Sequence, residues 1–175
     1  NCRKPVMEEK QQPVYKFHAE GDSVFTKVNG RASYLNCAPL KEFFHAQVAT
    51  GRRCFAIDFE GCSSMDSTFL GILVGVALEL RKTDPPGSMA LLQLGERNLD
   101  VVRNLGVHRL MSVDTIGSGI DFTSAKAIES NGEWVLADEE SIRDAHKRLS
   151  ELNENNARMF RDVVGFLEKN QEEQG

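Results

Sequence analysis

Residues 52–82 read RRCFAIDFEGCSSMDSTFLGILVGVALELRK, and this stretch decides the fold. Its apolar and polar runs predict a buried strand over 54–59, a polar turn over 60–66 and an apolar helix over 67–82. A strand that turns directly into a helix is typical of domains in which helices pack on a sheet. The rest of the chain is best interpreted around this unit.

The predicted turn ends in Asp66, Ser67 and Thr68, at the start of the apolar helix. Residues of these types cap helices because a side-chain oxygen accepts a hydrogen bond from an unpaired backbone N–H group. The same helix start would also favour a phosphate group, since the free N–H groups and the helix dipole attract negative charge. Ser67 is therefore either a plain cap or a phosphorylated switch.

Strands and helices alternate through the chain on either side of this unit. The patterns predict strands at 14–18 and 23–29, a helix at 39–50, a strand at 89–94, a helix at 96–105 and a short strand at 110–113. The first two strands form a hairpin, and the later strands are expected to be mostly parallel because helices connect them. The predicted fold class is a small mixed α/β sheet with helices packed on it and a long C-terminal helix.

Composition divides the chain into four segments. Residues 1–13 are polar and predict a loose arm, and residues 14–113 predict the α/β domain. Residues 114–137 contain few large apolar side chains and are either a linker or an ordered excursion. Residues 138–170 predict an amphipathic helix.

The C-terminal helix carries an apolar seam at alternating spacings of three and four residues. At 1.5 Å per residue, a helix of about 30 residues is roughly 45 Å long, so part of it should project from the domain. The seam either packs on the protein's own domain or binds a second copy or another protein, and a polar Asn within it would fix the register. Its residues are Ile142, Ala145, Leu149, Leu152, Asn156, Met159, Val163 and Phe166.

Two glycines in the central helix indicate close packing. Gly71 and Gly75 lie four residues apart and so share one helix face. They allow another backbone to approach, and we expect that backbone to belong to the sheet below. Since the helix is apolar on almost all sides, the C-terminal helix or a partner protein should cover its outer face.

Composition and charge argue against several functions. The net charge of −5 gives no reason to expect nucleic-acid binding, and the longest apolar run, 69–78, is too short to span a membrane. The four cysteines form no CxxC pair and have no His at metal spacing, so no metal or cofactor is expected. With no signal peptide apparent, the prediction is a reduced, cytoplasmic protein.

Signatures of catalysis are also lacking. Residues 61–65 begin like the nucleophile elbow G-x-S-x-G but end in Met65 instead of glycine. No phosphate-binding loop or dinucleotide fingerprint occurs, and the four histidines lie in different predicted elements. The sequence predicts a protein that is not an enzyme.

The central turn resembles a family signature. Residues 65–71, Met-Asp-Ser-Thr-Phe-Leu-Gly, follow a strand and open a helix, as does the Asp-Ser-Ser/Thr-Gly-Leu-Gly turn of the STAS family of bacterial anti-sigma factor antagonists. The Leu-Gly-Val of 105–107, followed by Leu110, is also similar to that family. The resemblance covers about 14–113, and Phe69 stands where the family has glycine.

The resemblance implies a regulator of transcription that switches partners. It implies that Ser67, with Thr68 as second choice, is phosphorylated by an anti-sigma factor serine kinase, that the unphosphorylated form binds this kinase, and that a PP2C-type phosphatase resets the cycle. A scaffold or sensor STAS module without phosphorylation, or a domain that binds a small molecule or anion, remain as alternatives. The expected partner-binding residues are Asp66, Ser67, Thr68, Phe69, Leu70 and Ile72, with a homodimer through the C-terminal helix as a further possibility.

Overall fold

A computed structural model describes residues 14–128 and 136–174 of the chain. The strands are β1 Tyr15–Glu20, β2 Ser23–Val28, β3 Gly30–Ala32, β4 Cys54–Asp58, β5 Cys62–Met65, β6 Ser88–Leu92, β7 Ser112–Asp114 and β8 Lys126–Ala127. The helices are α1 Ala38–Ala49, α2 Ser67–Arg81, α3 Glu96–Asn104, α4 Glu139–Ser150 and α5 Glu154–Gln174, with a short 3-10 helix at Val107–Arg109.

The main sheet has the order β7-β6-β4-β2-β1-β8. β1 and β2 form the predicted antiparallel hairpin, while β2, β4, β6 and β7 run parallel. The parallel strands are joined through helices, as their connections require. The predicted fold class, including a long C-terminal helix, is confirmed.

A second, two-stranded sheet was missed by the sequence patterns. β3 and β5 pair in parallel, and β5 lies within the segment 60–66 that was predicted to be a turn. Both strands are short, and a β-strand pairing between distant segments leaves no periodic signal in so few residues. This pairing fixes the start of α2, because Asp66 N donates to Ala32 O at 3.0 Å just beyond β5.

The prediction of one continuous helix over 138–170 was wrong. The segment forms a hairpin of α4 and α5, and Asn153 interrupts the helix by capping α5: its Oδ1 accepts from Asn156 N at 2.8 Å. The two helices pack side by side, so the His146 and Phe160 rings lie 5.2 Å apart. The 3-4 spacing of apolar residues continues from α4 into α5, so it gives no sign that the helix is interrupted. The sequence signal for the interruption is Asn153, a residue type that caps helices.

The segment 114–137 is partly ordered against the domain. β8 pairs with the edge strand β1, with Lys16 opposite Ala127. Ala137 N donates to Tyr34 O at 2.8 Å, just before α4 begins. Residues 129–135, like the predicted arm 1–13, lie outside the described residues.

Candidate functional site

Asp66 is the N-cap of α2 and holds the start of that helix in place. Its backbone is extended, and its Oδ1 accepts from Phe69 N at 2.9 Å. Its Oδ2 accepts from Tyr34 N at 2.9 Å and so ties the helix start to the segment after β3. The capping role is thus filled by Asp66, which leaves the side chain of Ser67 free for another interaction.

The Ser67 hydroxyl is bound by the C-terminal hairpin. Ser67 Oγ lies 2.7 Å from Nε2 of His146, a residue of α4. The other ring nitrogen, Nδ1, lies 2.7 Å from the carbonyl oxygen of Ile142. A carbonyl oxygen only accepts hydrogen bonds, so Nδ1 carries a proton, and in a neutral ring Nε2 accepts the hydroxyl proton of Ser67.

His146 is buried, so its Nε2 atom depends on Ser67 as its one hydrogen-bond partner among the described residues. The residue is 6% exposed, and the ring of Phe160 from α5 packs edge-on against it. Inside the protein, a polar atom that loses its partner costs about 1–3 kcal/mol of stability. An isolated histidine in a helix carries no motif, so the sequence did not predict this role of His146.

Catalytic serines are activated in the same way, by donating a hydrogen bond to a histidine, so this pair could also be a nucleophile and its base. Nucleophilic catalysis needs space for a substrate beside the hydroxyl. A cavity of about 400 Å³ lies between α1, α2 and α4, but neither Ser67 nor His146 lines it. The pair joins α2 to α4, so it serves as a structural contact between these two helices.

The rim of that cavity carries charges of both signs, several of which are already paired. Lys41 Nζ donates to Ser141 Oγ at 2.9 Å, and His45 Nδ1 lies 2.7 Å from the carboxylate of Glu79. A mixture of positive and negative side chains on an open, half-exposed rim gives no strong attraction for an added anion. The alternative of an anion-binding domain gains no support from this surface.

Gly71 and Gly75 do not face the sheet, contrary to expectation. A Cβ atom added to Gly71 would lie 2.6 Å from the Cα of Ala145 in α4, which is closer than any real contact. A Cβ atom added to Gly75 would have no neighbour within 4 Å. Gly71 therefore allows α4 to lie directly on the outer face of α2, and Gly75 is not needed for close packing.

Several of the expected partner-binding residues lie in the core. Phe69 is fully buried, with its ring 6.3 Å from that of Tyr15 and 6.2 Å from that of Phe59. Side chains directed into the core are out of reach of a partner in this conformation, so only Asp66 and Ser67 of the expected set remain at the surface in part. The other buried members are Thr68, Leu70 and Ile72.

The predicted C-terminal seam is divided between the interior and the surface. Asn156 is fully buried, and its Nδ2 donates to Leu105 O at 2.7 Å and to Leu149 O at 2.9 Å. Its amide thus ties the hairpin to the domain within one chain. Of the other members, Ala145 and Leu149 are buried, Ile142 and Leu152 are half-buried, and Met159, Val163 and Phe166 are exposed.

The described cysteines all have a pKa raised above that of a free thiol, and Cys37 and Cys62 are also buried. Burial, with the Asp66 carboxylate, raises the pKa of Cys37 to about 12. Burial also raises the pKa of Cys62, and Cys54 is exposed with a pKa raised by partial burial and by Asp22. Among residues 14–128 and 136–174, no three His, Cys, Asp or Glu side chains cluster as metal ligands would. Within the same residues, no helix has the length and apolar character needed to cross a membrane.

Comparison with solved structures finds chains of the same architecture. A candidate anti-sigma factor antagonist from Thermotoga maritima superposes with a TM-score of 0.54 at 18% identity, over 59% of this chain and 88% of its own. An anti-sigma factor antagonist from Mycobacterium paratuberculosis superposes with a TM-score of 0.52 at 17% identity, over 60% of this chain and 87% of its own. No protein-family model matches the sequence, and no curated protein matches it.

These superpositions cover most of each antagonist but leave about two fifths of this chain unmatched. At such low identity they establish architecture alone. The chain has the fold of the anti-sigma factor antagonists, the STAS fold.

Proposed function

We propose that this protein is an anti-sigma factor antagonist that binds an anti-sigma factor with serine kinase activity. Phosphorylation of Ser67 ends the binding, and a PP2C-type phosphatase restores it. The protein acts by binding and not as an enzyme, in the cytoplasm of a bacterium. The observation that carries the proposal is the position of Ser67 in a STAS fold, as the first residue of α2 directly after its Asp66 cap.

The electrostatics of the helix start support such a switch. A phosphate at this position is favoured by the dipole of α2 by roughly 0.3–1 kcal/mol, so the domain itself tolerates it. The same group adds up to two negative charges beside Asp66. Burying those charges against a partner surface costs far more than the dipole returns. One modification can therefore leave the fold intact and abolish the complex.

Phosphorylation itself is the first test. Incubation of the full chain with candidate anti-sigma factor kinases and ATP should add one phosphate, which intact mass detects and peptide mapping places on Ser67. Ser67→Ala should remove the phosphate. Thr68→Ala, a matched control at the neighbouring buried hydroxyl, should leave it in place.

The outcomes separate the proposal from its alternative. Phosphate on neither Ser67 nor Thr68, with a kinase that binds the protein, would exclude the switch and favour a scaffold or sensor module. Phosphate on Thr68 would require that the first turn of α2 opens, since that side chain is 4% exposed.

We also propose that a second copy of the chain covers the exposed face of α5. Met159, Val163 and Phe166 are 59%, 40% and 65% exposed and lie at spacings of four and three residues on one helix face. An apolar stripe of this kind pairs well with its own copy in a coiled-coil seam. The proposed interface consists of these three side chains alone, because Asn156 is buried and donates to Leu105 O of the same chain.

Sedimentation velocity tests this dimer. The wild-type protein should sediment as a concentration-dependent dimer, and Val163→Glu with Phe166→Glu should convert it to a monomer because charges at a seam oppose pairing. Asp162→Lys and Glu168→Lys, on exposed positions of the same helix, form the control pair and should leave the dimer intact. A wild-type monomer at high concentration would refute self-association.

A further inference from the structure

The C-terminal hairpin lies on the part of the STAS domain that the proposed function needs to be open. α4 packs along the outer face of α2, with Ala145 against Gly71 and His146 on Ser67. Ala145, His146 and Leu149 of α4 are buried in this contact. The hairpin therefore occupies the surface around the proposed phosphorylation site.

The contact is specific in its chemistry. Nε2 of His146 is positioned 2.7 Å from Ser67 Oγ. Because Gly71 has no Cβ atom, the α4 backbone can approach α2 closely at this point. Farther along, Asn156 anchors the hairpin to the carbonyl of Leu105, and Lys41 of α1 donates to Ser141 of α4. Contacts at three separate places hold the hairpin in one arrangement.

Phosphoryl transfer is incompatible with this arrangement. For Ser67 to accept a phosphate from ATP, its Oγ must lie in line with the bond from the γ-phosphorus to ADP. The new Oγ–P bond forms as that bond breaks, ADP leaves, and the hydroxyl proton is released. In the docked state the His146 side chain lies 2.7 Å from Oγ, so the hairpin restricts the space in which a kinase could place ATP in line with Oγ.

The phosphorylated product is incompatible with docking as well. A phosphoserine oxygen bonded to phosphorus has no proton to donate to Nε2 of His146. The phosphate group would also stand beside the buried His146 ring, where the docked hairpin leaves it less room. Two states that exclude each other are coupled in both directions, since each lowers the population of the other.

We propose that the α4–α5 hairpin shields Ser67, so that the hairpin must undock before the kinase can phosphorylate this residue, and that phosphate on Ser67 then keeps the hairpin undocked. The kinase part of this inference rests on the proposed function. The shielding of Ser67 by the hairpin does not, and it is tested without any kinase.

The test measures access to position 67 in the full chain. Ser67→Cys places a thiol there, and its reaction with N-ethylmaleimide is followed by peptide mass. Gly71→Ala, added to this variant, forces Ala145 away and should speed labelling at position 67 roughly tenfold or more, because the added methyl group cannot fit the docked state. Gly75→Ala is the matched control and should leave the rate unchanged, since a Cβ atom there meets nothing.

The native cysteines serve as internal references. Cys54 is exposed and should label at one rate in every variant, whereas Cys37 and Cys62 are buried and should stay protected unless the domain unfolds. If Gly71→Ala also exposes Cys37, Asn156→Ala decides instead, because it weakens docking of the hairpin by removing one of its contacts without changing α2. It should speed labelling at position 67 while Cys37 stays protected.

Two results would overturn the inference. Position 67 of the Ser67→Cys protein could label as fast when folded as when unfolded in urea, or the added Gly71→Ala substitution (or Asn156→Ala in its place) could leave the labelling rate at position 67 unchanged. A separate assay addresses the kinase: Gly71→Ala in the chain that keeps Ser67 should be phosphorylated faster than wild type. If Gly71→Ala speeds labelling at position 67, but neither the wild type nor the Gly71→Ala protein that keeps Ser67 is phosphorylated, the proposed function is refuted and the shielding of Ser67 stands.

Discussion

Replacing Phe69 with alanine should destabilise the domain by about 3–5 kcal/mol, close to the whole stability of many small proteins. The ring is fully buried and contacts the rings of Tyr15 in β1 and of Phe59 just after β4, so its removal leaves a cavity between α2 and the main sheet. Urea denaturation followed by circular dichroism measures the loss as a lower midpoint.

The control uses the same substitution at the surface. Phe166→Ala removes a phenyl ring that is 65% exposed, and it should change the free energy of unfolding of the monomer by less than about 0.5 kcal/mol. A loss below about 1 kcal/mol for Phe69→Ala would show that Phe69 is not a core residue. It would return Phe69 to the set of partner-binding candidates.

Ser67→Asp should weaken binding of the kinase roughly a hundredfold or more, which corresponds to about 3 kcal/mol. The new carboxylate mimics part of the phosphate charge and would be pressed against the partner beside Asp66. Isothermal titration with the kinase that phosphorylates the wild-type protein measures the loss. Retained binding would favour a scaffold or sensor without a phosphorylation switch.

The same variant should change the global stability little. Asp66, and not Ser67, caps α2, so the cap remains, and the helix dipole favours the added charge. The lost hydrogen bond to His146 acts against this, so the free energy of unfolding should change by no more than about 1–2 kcal/mol. A larger loss would mean that reduced binding reflects unfolding.

Ser63→Asp is the matched control for charge. Ser63 is exposed in β5, four residues before Ser67, so the variant adds the same charge to the same region without reaching the helix start. It should bind the kinase within a fewfold of wild type. Equal losses for both variants would indicate general repulsion instead of a site at Ser67.

The sequence by itself determined the strand and the helix at the centre of the fold, and it placed the capping candidates Asp66, Ser67 and Thr68 at their junction. These are local features: apolar runs set β4 and α2, and the short polar side chain of Asp66 accepts from one N–H group within its own turn. The order of strands and helices likewise indicated a mostly parallel sheet after a hairpin. The break at Asn153 was equally local, but the continuing apolar period obscured it.

Only the tertiary structure decided what surrounds Ser67. Its partner His146 lies 79 positions away in the sequence, and no spacing rule connects the two. That α4 instead of the sheet approaches Gly71, and that Phe69 turns into the core, also depend on how distant elements pack. Local patterns record hydrogen bonds and burial within one element, whereas contacts between elements arise only when the whole chain has found its packing.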